Sequence, residues 1–181
     1  MTPLDRLMRW RSEASTTEKL YGAIVAQARL PVFYRSFGVP DTLLGRFTLL
    51  ALHLFAVLHR LKGEGREGSA LAQELVDRFS QDMETVHREL GVSDLRVPKS
   101  MRRLAAASKG LFQDYETTLA AGETPLAHAI AASLPDETES AELSSKALTS
   151  YLLASIEALA RQDIASLRAG VPGFPEASIK P

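Results

Sequence analysis

The chain has 181 residues, 45% of them hydrophobic and 24% charged, with a formal net charge of −1. That length and apolar content suit one globular domain with a real core. With no cysteine, it has no disulfide framework and no thiolate metal site, and it fits a reducing compartment.

Charge is graded along the chain. Residues 1–62 carry nine Lys/Arg against four Asp/Glu, residues 63–121 eight against ten, and residues 122–181 four against eight. A basic N-terminal third suits contact with phosphate, in lipid or RNA. The opening stretch MTPLDRLMRWRSEAS has no apolar h-region, so it does not read as a secretory signal. It reads as a leader helix or arm over 1–16, docking Leu7 and Trp10 on the domain.

Thr17 is placed to cap a helix over KLYGAIVAQARL, with Glu18 suited to its positive end. Leu20, Ile24 and Ala28 form its apolar stripe. Gly22 interrupts it at about 1 kcal/mol relative to alanine, which suggests a close neighbour. Pro31 to Phe37 reads as a short helix with proline in its first turn and Gly38 past its end. Phe33, Tyr34 and Phe37 either anchor it to the core or form a recognition patch.

Asp41 to Lys62, DTLLGRFTLLALHLFAVLHRLK, is the most apolar stretch. It is hydrophobic almost all round, as a buried helix is. His53, His59 and Arg60 break the run short of the about 20 apolar residues a membrane span needs. Asp41 or Thr42 is the expected cap, and Gly63 the expected left-handed stop. GEGREG then reads as a surface loop. From Ser69 to Leu90, the residues Leu71, Leu75, Phe79, Met83, Val86 and Leu90 recur at helical spacing. GVSDLRVPKS is a connector, with Asp94 as a local cap and Gly91 closing the helix before it.

The next helix has a seam of Ser100, Leu104, Ala107, Leu111, Tyr115 and Leu119. Lys99, Arg102, Arg103 and Lys109 make its first half basic, against its own dipole, which points to use outside the helix. Thr124 and Pro125 open a short helix, and DETES is an acidic linker. Ala141 to Ala169 is a last helical stretch with a break near Gln162, and the tail GVPGFPEASIKP is irregular.

The expected fold is all-α: a single compact multi-helix domain around a central buried helix at 41–62, with a C-terminal helical extension. The expected divisions are 1–16, 17–122, 123–169 and 170–181. No constellation for catalysis stands out. His53 and His59 fall on different helix faces. Glu84 and His87 make only one Glu-x-x-His, half of what a carboxylate-bridged di-iron bundle uses. There is no phosphate-cradling loop, nucleophile elbow or HExxH. Neither cofactor nor metal is expected, and an enzyme is disfavoured.

An ordered series of segments carries a resemblance: Leu20-Tyr21-Gly22, Phe33-Tyr34, Gly38-Val39-Pro40-Asp41, Gly45-Arg46-Phe47, Asp82-Met83, Gly91-Val92, Asp94-Leu95, Val97, Lys99 and Met101-Arg102-Arg103. Over Leu20 to Tyr115 the chain resembles the ubiquinol–cytochrome c chaperone family, assembly factors of the cytochrome bc1 complex. It departs from the pattern in the Asp82-Met83 order and in the alanine-rich helix after Arg103. The resemblance implies an all-helical, non-enzymatic protein that holds newly made cytochrome b, or another bc1 subunit, until haem and later subunits join. It looks like a bacterial member, expected in the cytoplasm with the inner face of the cytoplasmic membrane as a peripheral site. Anionic lipid or the ribosome is a further expected contact; DNA and small-molecule substrates are not. The expected partner-binding residues are Phe33, Tyr34, Phe37, Lys99, Arg102 and Arg103. The competing reading is a helical module at the membrane surface that binds lipid or a small apolar ligand.

Overall fold

A computed structural model describes the backbone of residues 3–89 and 97–178 and the side chains of 16–86, 88, 89 and 101–178. Among these residues there are eight helices and no strand: α1 (Pro3–Ala28), α2 (Pro31–Arg35), α3 (Leu43–Leu61), α4 (Gly65–Glu89), α5 (Val97–Ala121), α6 (Glu123–Ser133), α7 (Ala141–Arg161) and α8 (Ile164–Arg168). The all-α class and the central helix are as expected. Leu7, Trp10, His87, Lys99 and Ser100 carry expectations about side chains that lie outside the described ones, and Leu90, Gly91 and Asp94 lie outside the described residues.

α3 is the hub. Leu49, Leu52, Leu54, Val57 and Leu61 are fully buried, and α1, α4, α5 and α7 all pack on it. It is long and apolar enough, by composition, to cross a membrane. Here its apolar faces are instead spent on neighbouring helices, as the hydrophobic effect demands of a helix with almost no polar side. Thr42 caps it, its Oγ1 accepting from the Gly45 N–H at 3.1 Å. The Thr42 N–H in turn donates to the Pro40 carbonyl at 2.8 Å, which folds the incoming chain over the first turn. That fold leaves no room at Gly45, where an added Cβ would lie 2.0 Å from the Pro40 oxygen. Backbone at that distance must move. Gly45→Ala is therefore expected to cost about 1–3 kcal/mol or more, a fall in Tm of roughly 3–10 °C for a chain of this size. Thermal denaturation of the variant checks it, and an unchanged Tm would contradict the packing of this turn.

Several local expectations are corrected. α1 runs unbroken through Thr17, so Thr17 is not a cap. Its hydroxyl donates to Glu74 of α4. Gly22 has open space where a Cβ would sit, so no close neighbour explains it. Gly63 is not left-handed; Gly65 is, with φ +63°, and it starts α4 inside the stretch expected to be a loop. Gly122, not Thr124, is the residue before α6, with no side-chain cap. In α5 Ser108 is buried and Ala107 exposed, one position from the expected seam. The acidic linker is an ordered turn, with Thr138 buried and its N–H on the Pro135 carbonyl at 3.0 Å.

The C-terminal helices complete the core. Leu148, Leu152, Leu159 and Leu167 are fully buried, and α7 lies on α3. The break falls at Gln162, as expected, and Asp163 caps α8, its Oδ1 accepting from the Ala165 N–H at 3.0 Å. The Gln162 side chain then holds the tail. It donates to the Val171 carbonyl at 2.6 Å and accepts from the Gly173 N–H at 2.8 Å.

Candidate functional site

The aromatic turn is largely core. Phe33 is fully buried and Phe37 nearly so. The Phe33 ring lies 5.0 Å from Tyr151, 5.1 Å from His53 and 5.2 Å from Phe37. Such edge-on aromatic pairs add about 0.5–1.5 kcal/mol beyond their buried area. Of the two readings of these rings, anchoring to the core is the one burial supports; direct partner contact is corrected for Phe33, which has no surface to offer, while Phe37 reaches only the floor of a groove. Tyr34 is half-buried, its hydroxyl donating to the Ala28 carbonyl at 3.3 Å.

Beneath the turn a polar thread crosses the core. The fully buried His53 has Nδ1 2.7 Å from the Leu49 carbonyl. A carbonyl only accepts, so Nδ1 carries the proton and Nε2 accepts from the Tyr151 hydroxyl at 3.1 Å. Gln27 of α1 donates to that hydroxyl at 3.0 Å. Burial drives the His53 pKa down to about 4, the Leu49 bond opposing it only in part. His53 is a neutral strut joining α1, α3 and α7, not a ligand or base.

What the turn does build is one wall of a groove of about 1,160 Å³, with α7 and the tail at Pro175 and Glu176 as the others. Phe37, Val39 and Tyr151 line its depth. At its rim Leu143 is 68% exposed, and at the nearby start of α3 Leu43 and Leu44 are 55% and 50% exposed. Sequence reading missed these three leucines. Leu43 and Leu44 belong to a helix that is apolar all round, and nothing in the pattern marks its first turn as projecting beyond the bundle.

Arg102 and Arg103 are exposed on α5. Phe112 and Tyr115 meet Phe55, and Glu116 meets His59 and Lys62. Later α5 residues thus meet later α3 residues, so the two helices run in the same sense. The basic start of α5 and the exposed start of α3 lie toward the same end of the bundle. Successive helix residues are about 100° apart, so Arg102 and Arg103 face different ways.

Several other titratable groups make structural pairs. Burial pulls the Glu116 carboxyl up, but Lys62 at 2.7 Å and His59 at 3.2 Å outweigh it and hold it below its ordinary value. Tyr21 donates to Asp82 at 3.0 Å across α1 and α4, with the Arg78 guanidinium 4.9 Å over its ring. Burial, then Asp82, raises the Tyr21 phenol. Glu84 pairs with Arg88 at 2.7 Å. Among the described residues no group of three or more His, Asp or Glu is placed to hold a metal ion.

The described residues thus make an all-α bundle with exposed leucines, a groove and exposed arginines toward one end. The sequence pattern of the family described as ubiquinol–cytochrome C chaperone matches residues 35–174. The crystal structure of the Cbp3 homologue from Brucella abortus is similar to it with a TM-score of 0.83 and 36% identity, covering 96% of this chain and 97% of that one. Ubiquinol-cytochrome-c reductase complex assembly factor 1 of Xenopus laevis is 25% identical over 112 residues, 62% of this chain and 56% of that protein. Its Mus musculus namesake is 29% identical over 83 residues, 46% of this chain and 28% of that protein. The chain therefore spans about half, or less, of the curated relatives it matches. It belongs to the ubiquinol–cytochrome c chaperone family.

Proposed function

We propose that this protein is a non-enzymatic chaperone that holds newly made cytochrome b, or another bc1 subunit, during assembly of the cytochrome bc1 complex. Family membership and the names of the curated relatives, both assembly factors of ubiquinol–cytochrome c reductase, support that reading. The observation that carries it to a surface is the exposure of Leu143 on the groove and of Leu43 and Leu44 at the start of α3, just after the groove residues Pro40 and Asp41. Exposed apolar residues grouped beside a groove are what a client with apolar segments needs. The site of action is the cytoplasmic face of the inner membrane. There Arg102 and Arg103, together with Lys99, meet phosphate of anionic lipid or ribosomal RNA.

The test uses photocrosslinking from position 143 to cytochrome b during its synthesis. Leu43→Glu/Leu44→Glu is expected to reduce the crosslink at least tenfold. Its Tm should stay close to that of the parent, since exposed substitutions are usually within about 0.5 kcal/mol. Full crosslinking by the double variant would place the client elsewhere.

A further inference from the structure

Between α4 and α5 the fold leaves a slot of about 780 Å³. Val76 and Phe79 line it from α4, and Met101, Leu104, Ala105 and Phe112 from α5. Phe79 is buried, and Val76, Met101, Leu104 and Phe112 are half-buried. None of the five exposed large apolar residues of the described chain lies in it. A docked helix is about 10–12 Å across and needs an open apolar face. A slot of this volume, with buried and half-buried apolar walls and an open polar edge, lies within the range of about 300–1,000 Å³ typical of small-molecule sites and suits a slim flexible chain instead.

One edge of the slot is cationic. Residues 102, 105 and 109 share a helical stripe, so Arg102 and Lys109 flank Ala105. Lys109 itself lines the slot. Both cations are exposed, and neither pairs with a described carboxylate. The carboxylate on the lining, Glu116, is already held by Lys62 and His59. Beside Lys109 on the same wall, the buried Ser108 hydroxyl has no hydrogen-bond partner among the described residues. Leaving such a group unmet costs about 1–3 kcal/mol. Charge, shape and the unused donor therefore converge on an alkyl chain with a single anionic head.

We propose that the slot binds a free fatty acid. The alkyl chain lies along Leu104, Phe112, Phe79 and Val76. The carboxylate sits between Arg102 and Lys109 and accepts from Ser108 after rotation of its side chain. This site holds none of Leu43, Leu44 and Leu143; it shares only Arg102 with the phosphate contact proposed above and does not depend on client binding.

Calorimetric titration of the full chain with laurate, below its critical micelle concentration, tests the site. The expected result is saturable binding of one laurate per chain. Ala105→Trp, which fills the slot from an exposed helical position, is expected to abolish it. Lys109→Glu should weaken it at least tenfold, with Lys109→Arg restoring it. Circular dichroism melting confirms that each variant folds; should Ala105→Trp fail to fold, the Lys109 pair alone decides. The proposal is overturned if wild type shows no saturable binding, or if a folded Ala105→Trp binds as well as wild type. It is equally overturned if binding is seen only to phosphatidylglycerol vesicles and survives Ala105→Trp, which would be surface adsorption.

Discussion

Phe33→Ala is expected to destabilise the fold by about 3–5 kcal/mol, the usual cost of truncating a buried phenylalanine. At about 2–4 °C per kcal/mol for a chain of this size, that is a fall in Tm of roughly 6–20 °C. The cause is local and specific. Phe33 is fully buried, and its ring touches Phe37, His53 and Tyr151 within 5.2 Å. Removing it opens a cavity where α2, α3 and α7 meet. Tyr34→Ala, one residue on, is the control. That side chain is half-buried with one hydrogen bond, so its loss should cost about 1 kcal/mol. Thermal melts of the two variants settle the matter. A Phe33→Ala protein of unchanged Tm that had lost only client binding would restore this residue to the recognition role and contradict the core packing.

The second large effect is on the pH dependence of stability. His53 has its pKa lowered by burial to about 4, against about 6.5 when exposed in the unfolded chain. Between these values the unfolded state holds a proton that the folded state does not, so stability rises with pH. The contribution is fully present above about pH 6.5 and is lost as pH falls toward 4, amounting to about 3 kcal/mol across that window. Tyr151, which bonds to His53, stays neutral throughout, its phenol raised further by burial. His53→Gln removes the titration, so its unfolding free energy should change less between pH 7 and pH 4.5 than that of the parent. Urea titrations at the two pH values measure the difference. Parallel slopes for the two proteins would mean that His53 does not titrate in this way.

How much was legible in the sequence follows from which signals are local. The α3 and α4 helices announce themselves by composition and by spacing, and the short oxygen side chains of Asp41 and Thr42 mark a start, of which Thr42 is the cap. The Gly-rich hexapeptide that runs into α4 misled for a physical reason. Gly68 is not there for a loop: an added Cβ would lie 2.5 Å from the Leu61 carbonyl, so the first turn of α4 needs glycine to pass the end of α3. Phe33 and Phe37 left two readings open because α2 has five residues and ends before Phe37, too few for a periodicity that separates an inward from an outward face. Other residues that carry the family resemblance hold the scaffold together: Tyr21 bonds Asp82, and Gly45 lies under Pro40. That is why the series pointed to the family more surely than to a binding face. The projecting leucines and the α4–α5 slot depend on how separate helices end and diverge, which no single stretch of sequence encodes.

The central claim, a role in assembling the cytochrome bc1 complex, is tested most directly in the native host. The gene is deleted, and reduced-minus-oxidised haem spectra of the membranes are recorded, with cytochrome b protein measured in parallel. Loss of the b and c1 signals of the bc1 complex, with other cytochromes intact and recovery on re-expression, is the predicted result. Unchanged bc1 spectra in the deletion strain would contradict the account.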